Sequence, residues 1–403
     1  MTRESLRKPR VGLVLPGGGA RGAYQVGVMK AVAELLPSGA SNPFPIMTGM
    51  SAGAINATVL ASNALRFQAG VRRLHAVWRN FRIDQVYRTD AWTMLKTSLH
   101  WLLAITTGGL GTGNPRALLD NTPLRKLLGG HIHFGGIDRA VQQGALHALA
   151  VTASGYSCAR AVSFFEGSPG ISPWLRARRE GRPATIELDH LMASVAVPFI
   201  FPPTRVGNEY FGDGAIREST PLSAAVHLGA ERLLVVGVRD EIARDEGDGQ
   251  VQPDYPSFGQ IAGYMLDTIF LDGLYADLER LTRINRIVAQ FPPGTIEKSL
   301  GENLKRIDAM IIVPSEDIRE IAQRHVGAFP RAVRLLLRGM GAFNAGGRQL
   351  ISYLLFEKAY CEELIALGYR DAMARKDHLL PFIAGEPVEV LDAPRHLESA
   401  LSA

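Results

Sequence analysis

A chain of 403 residues can bury a sizeable core, and its 46% apolar and 21% charged residues exclude a disordered or fibrous protein. Two cysteines, Cys158 and Cys361, cannot form a disulfide framework at this length, so a reducing compartment is the simpler reading. The net charge of +5 suits anionic surfaces, but with no nucleic-acid motif and no interleaved basic and aromatic run, nucleic acid is not expected as a partner.

The basic start, residues 1–10, precedes an apolar run from Val11 to Pro16. That run is too short for a signal-peptide core and leads into glycines rather than a cleavage site. No window reaches transmembrane length. The expectation is a cytoplasmic protein, peripheral to a membrane at most.

Val11 to Leu15 reads as a short buried strand, followed by Pro16-Gly17-Gly18-Gly19-Ala20-Arg21-Gly22. From Ala23 the apolar residues take helical spacing, with Val26, Met29, Val32, Ala33 and Leu36 on one face. A second strand, Pro45 to Thr48, runs into Gly49-Met50-Ser51-Ala52-Gly53, and Ala54 to Leu65 continue as a helix. Strand, glycine turn and helix, given twice, predict an α/β fold with parallel strands. Gln68 to Phe81 is a further amphipathic helix. Trp92 to Ile105 is aromatic and nearly uncharged, and with the glycine-rich stretch up to Gly113 it reads as a core helix or as a hinged lid at a lipid boundary.

Strands are expected over Leu146–Ser154, Arg160–Glu166, Val206–Gly212 and Arg232–Val238, with a late one at Ala309–Val313. Arg239 to Pro256 is an acidic loop without the ordered oxygen spacing of a calcium site, so no metal is expected. Helices are expected at Pro221–Leu228, Tyr264–Arg286, Ile318–Arg324, Ala332–Met340 and Arg348–Ala366. No linker or repeat divides the chain. It reads as a catalytic α/β domain over residues 10–240 with a mainly helical extension over 241–403, packed on the same core. Nothing in the sequence reads out an oligomeric state.

Two patterns carry chemistry. Gly17-x-Gly19-x-x-Gly22 after a strand matches a dinucleotide fingerprint, but the stretch from Gly39 to Thr48 lacks the acid that would hold the ribose. No Gly-Lys-Ser/Thr follows, which excludes a P-loop, and no cofactor is expected. Consecutive glycines at a helix start instead expose backbone N–H groups that suit an oxyanion. Gly49-x-Ser51-x-Gly53 is the second pattern: a serine on a strand-to-helix turn, where two glycines leave room for close approach. None of the ten histidines stands in a distinctive setting as its base. Asp213, in Gly212-Asp213-Gly214-Ala215, is a carboxylate at a strand end, and its bland reading is a turn-forming Asp-Gly.

Together, Pro16 to Gly22, Gly49 to Gly53, the proline-rich Ala193 to Pro203 and Asp213-Gly214-Ala215 resemble, in order, the signature blocks of patatin-like phospholipases. The resemblance covers about residues 10–240, and the later helices are similar to the C-terminal part of bacterial members. It implies a three-layer α/β fold: a mostly parallel central sheet, helices on both faces and a C-terminal helical extension. It also implies a lipid acyl hydrolase with a serine–aspartate dyad and no histidine. Ser51 would be the nucleophile and Asp213 the proton acceptor. Gly17, Gly18 and Gly19 would form the oxyanion hole, supported by Arg21 and Gly22, while Gly49 and Gly53 shape the elbow. Pro16 departs from the acidic residue of plant members, and Ala215 replaces the third glycine of many. A lipid or acyl ester would be the substrate, met at a membrane surface. An acyltransferase using the same dyad, or an inactive membrane-associated scaffold, stays open at this stage.

Overall fold

The structure, a computed structural model of the chain, describes residues 8–90, 92, 117–239, 257–268, 273–292, 304–343, 348–386 and 388. Apart from Trp92 and Arg239, the stretch 92–113 and the acidic loop 239–256 lie outside those residues.

Short, apolar, β-branched runs become strands wherever both of their faces can be covered. Among the described residues, ten strands form one sheet. They are β1 (Val11–Leu15), β2 (Ile46–Met50), β3 (Ala148–Gly155), β4 (Ala161–Gly167), β5 (Trp174–Leu175), β6 (Arg179–Pro183), β7 (Thr204–Val206), β8 (Glu209–Asp213), β9 (Arg232–Val236) and β10 (Asp308–Ile312). The main path runs β10-β9-β1-β2-β3-β4-β6-β5. From β10 to β3 every pairing is parallel; β3–β4, β3–β8, β7–β8 and β5–β6 are antiparallel.

In chain order, the helices that cover the sheet and build the site are α1 (Gly22–Leu35), α2 (Ala52–Ser62), α3 (Phe67–Arg79), α4 (Leu188–Ser194), α5 (Ser223–His227), α6 (Phe258–Asp267), α7 (Gly273–Val288), α8 (Arg348–Leu354) and α9 (Lys358–Ala374). The two-residue period of the strands sends alternate side chains to opposite faces. Leu13, Leu15, Leu149, Val151, Leu234, Val236, Met310 and Ile312 join one apolar cluster with α1, α2, α3 and α9. Val14, Ala148, Ala150, Leu233, Val235 and Ile311 join a second cluster with α5 and α7. The fold is therefore α/β, with helices on both faces of a mostly parallel sheet.

The C-terminal helix α9 lies directly on α1, and paired glycines set the approach. A Cβ on Gly27 would stand 2.1 Å from the Ile365 carbonyl oxygen, and one on Gly368 would stand 2.2 Å from that of Tyr24. Neither position accepts a side chain at this helix separation.

Several boundaries differ from the sequence expectation. Val206–Gly212 is the turn and second strand of a hairpin, β7–β8, whose turn carries Gly207 at φ 60°. The polar β6 and the two-residue β5 have no apolar run to announce them. The helix expected over Tyr264–Arg286 is described as α6 and α7, starting earlier at Phe258, with residues 269–272 between them outside the described set. The helix expected over Arg348–Ala366 is two helices, α8 and α9, broken at Leu355-Phe356-Glu357. That break leaves Phe356 free to turn inward. Among the described residues, no helix is long and apolar enough to cross a membrane.

Candidate active site

The serine turn is built from backbone that cannot relax. Ser51 sits between β2 and α2 at φ 52°, ψ −129°, a conformation costing of order 1–3 kcal/mol that only a surrounding lock can hold. The lock is first steric. A Cβ on Gly49 would lie 2.4 Å from the Gly53 carbonyl oxygen; one on Gly53 would lie 2.0 Å from that of Leu15 and 2.5 Å from that of Pro16. Hydrogen bonding adds to it. The Ser51 N–H donates to Ser194 Oγ at 2.9 Å, and that hydroxyl donates to the Thr152 carbonyl at 2.7 Å. Ser194, from α4 and the proline-rich block, is thus a support that sequence pattern did not assign.

Asp213 ends β8, opposite Ala153 of β3, and is fully buried. Its N–H donates to the Ala196 carbonyl at 2.8 Å, tying β8 to the proline-rich block. Oδ1 accepts from the Ala215 N–H at 3.0 Å. A Cβ on Gly214 would stand 2.2 Å from the Thr152 carbonyl oxygen, so only glycine lets the turn sit this deep. Burial raises the Asp213 pKa to about 7, while the Ser51 hydroxyl and the Ala215 amide pull it back toward the ordinary range. Ser51 is therefore close to the carboxyl, yet Oδ2 is buried with no hydrogen-bond partner among the described residues. Nucleophile–base contacts are often loose without substrate and tighten in the complex.

The third element is the turn after β1. Gly19 has φ 56°, and a Cβ there would stand 2.4 Å from the Tyr353 carbonyl oxygen. No hydrogen bond from the Gly17, Gly18 or Gly19 amide to a protein acceptor is found among the described residues; Gly17 and Gly18 are buried, and Gly19 reaches the cavity. Behind the turn, Gln25 Nε2 donates to the Pro16 carbonyl at 2.9 Å, and Asn56 joins Gln25 to the Trp78 indole. Gly22 packs against Ala52 and Trp78, which brings the starts of α1 and α2 together. Arg21 is buried: Nε donates to Ser352 Oγ at 2.9 Å, a terminal nitrogen lies 3.2 Å from Asp267 Oδ1, and the guanidinium sits 3.9 Å above the Tyr353 ring. The sequence pointed to Arg21 but not to these three partners.

Ser51 and Gly19 open on one cavity. Its walls are otherwise almost wholly apolar, with Trp78, Phe81, Phe201, Leu266 and Phe356 prominent. A site with that lining suits a hydrocarbon chain and presents the Ser51 hydroxyl and Gly19 at one end. Leu266, Tyr353, Leu354 and Phe356 come from beyond residue 240, so the late part of the chain completes a wall that the early part mostly builds. Among the described residues, no group of three or more His, Cys, Asp or Glu side chains is arranged to hold a metal ion.

A family model described as patatin-like phospholipase matches residues 13–226. Over 89 residues the chain is 42% identical to lysophospholipase nte1 of Aspergillus terreus and 39% identical to that of Aspergillus oryzae. Each match covers 21% of this chain but only 5% of the relative's length. Among solved structures, human GIVD cytosolic phospholipase A2 is similar at a TM-score of 0.45 and 11% identity, over 95% of this chain and 61% of that one. VipD from Legionella pneumophila is similar at a TM-score of 0.33 and 13% identity, over 98% and 74%.

Proposed function

The chain belongs to the patatin-like phospholipase family, and on that premise we propose that it hydrolyses fatty-acyl esters of lipids through a Ser51–Asp213 dyad. The observation that carries this reading is a buried carboxyl of pKa about 7, beside a strained serine that opens on an apolar cavity. A free aspartate, with a pKa of about 3.9, is a poor base for an alcohol; desolvation brings Asp213 into the range where a base works at neutral pH.

In this reading Ser51 Oγ attacks the ester carbonyl carbon as its proton passes to Asp213. The amides of Gly17, Gly18 and Gly19 hold the oxyanion, with Arg21 and Gly22 supporting the loop. Collapse breaks the ester bond, and Asp213 returns the proton to the departing alcohol. Water then attacks the acyl-enzyme, giving its proton to Asp213, and the fatty acid leaves as Ser51 is reprotonated. Each oxyanion donor of this kind contributes about 2.7–4 kcal/mol in the transition state. Residues 10–240 form the catalytic body in this reading, and residues 241–403 form an extension that completes the cavity wall. The substrate is met at a membrane surface. The outward face of α6 carries Phe258, Ile261, Tyr264 and Met265, all exposed, while its inward Leu266 reaches the cavity.

Fatty-acid release from a panel of phospholipids, lysophospholipids and short acyl esters, with fluorophosphonate labelling, tests the assignment. Ser51→Ala should lose both labelling and release, and Asp213→Asn should lose release by about 10³-fold or more while staying folded. Full labelling of Ser51→Ala, or wild-type release by Asp213→Asn, overturns the dyad.

A further inference from the structure

We propose that Asp267 and Tyr353 are positioning residues for the oxyanion loop, which they set through Arg21; the proposal rests on the hydrolase reading above. The loop that faces Ser51 across the cavity holds three glycines in a row, and such backbone has no preferred shape of its own. On one side Gln25 fixes the Pro16 carbonyl. On the other side Val238 packs on Gly18, and the contacts to Gly19 and Arg21 named below come from α6 and α8. The backbone of Tyr353 presses on Gly19, where a Cβ would meet its carbonyl oxygen at 2.4 Å. Its ring lies 3.9 Å beneath the Arg21 guanidinium, and its hydroxyl donates at 2.7 Å to Asp267 Oδ1. The same oxygen stands 3.2 Å from Arg21. One carboxylate oxygen therefore joins the loop's only cation to the residue against which Gly19 packs.

The arrangement is expensive for fold stability alone. Arg21 and Asp267 are 2% and 7% exposed, and a buried ion pair commonly breaks even against apolar packing of the same shape. Its return is geometric: a planar guanidinium held on three sides leaves the preceding glycine amides one orientation. Asp267 does not line the cavity, so its effect on turnover passes through Arg21. Tyr353 does line it, but with its hydroxyl committed to Asp267.

The test uses the full chain, a soluble p-nitrophenyl ester and three variants: Asp267→Asn, Tyr353→Phe and Ser51→Ala. For each of the first two, kcat, KM, Tm and the 31P resonance of the fluorophosphonate adduct are measured, since the phosphoryl oxygen of that adduct occupies the oxyanion position. Asp267→Asn should lower kcat by about 30-fold with KM within about twofold, and should shift the 31P resonance. Tyr353→Phe, which keeps the ring over Arg21, should act in the same direction by about fivefold. If Asp267→Asn does not fold, Tyr353→Phe and its 31P shift carry the test. Wild-type kcat and 31P position in the folded variants, with Ser51→Ala inactive, overturn the positioning role alone. Losses of kcat that follow Tm while the 31P position stays fixed overturn it too, because they mark a purely structural role. Full turnover by Ser51→Ala overturns the hydrolase reading and this inference with it.

Discussion

The serine turn and the glycine loop are both strand-to-helix turns with a residue at positive φ, yet they are held in opposite ways. The serine turn is locked within the sheet: its glycines meet the backbone of β1 and α2, and its amide is held by Ser194 over Thr152 of β3. The glycine loop is held at its start by Gln25 and Val238, and at Gly19 and Arg21 it leans on Ser352, Tyr353 and Asp267, all more than two hundred residues away. A turn whose lock is the sheet can fail only with the fold. A turn whose lock is a distant helix can lose its geometry while the fold persists.

That contrast can be broken at single positions. The largest effect is expected at Gly53→Ala, where the new Cβ would meet the Leu15 carbonyl oxygen, which the sheet holds in place, and that of Pro16, which Gln25 holds. Destabilisation of about 4 kcal/mol or more should appear in urea unfolding. A near-native midpoint would mean that the elbow yields and the contrast is false. Gly19→Ala should behave differently, with kcat down about 100-fold and a cooperative unfolding transition retained.

Between these two in size lies Asp213. Its folded pKa of about 7 stands above its unfolded value, so the protonated form is favoured on folding. The contribution to stability is fully present below the unfolded pKa and is lost as pH rises through about 7. Asp213→Asn removes that dependence, and at pH 8 it should be more stable than the parent by about 2–4 kcal/mol, with little difference near pH 4. Activity has the opposite sign: kcat/KM should rise about tenfold per pH unit below 7 and then level off, because in the proposed dyad the ionised carboxyl is the base. A flat profile from pH 5 to 8 would remove Asp213 from that role.

The sequence made legible what depends on neighbours in the chain. Short apolar runs foretell the strands from β1 to β3, and the glycines around Ser51 foretell a turn of close approach. Asp213 stood out through its Gly212 and Gly214 flanks. What sequence could not reveal is contact across the fold. Tyr353 and Asp267 sit in ordinary helical stretches, and nothing local ties them to Arg21. Ser194 lay inside a recognised block without a role until its hydroxyl met the Ser51 amide. Strand β6, Arg-Glu-Gly-Arg-Pro, was hidden because its polar side chains leave no apolar run to read. The break before α9 was hidden for the reverse reason, since Leu355 and Phe356 continue an apolar pattern while leaving the helix.

The separation between Arg21 and Ser352, 331 positions along the chain, also sets an order of events during synthesis. At about 5–20 residues per second, roughly 15–65 s pass between the emergence of the glycine loop and that of the helix that clamps it. Ser51 and Asp213, the dyad of the proposed reading, are both made within the first two thirds of that interval. On the proposed reading, a nascent chain therefore carries both members of its dyad before it carries the helix whose Ser352 and Tyr353 clamp Arg21.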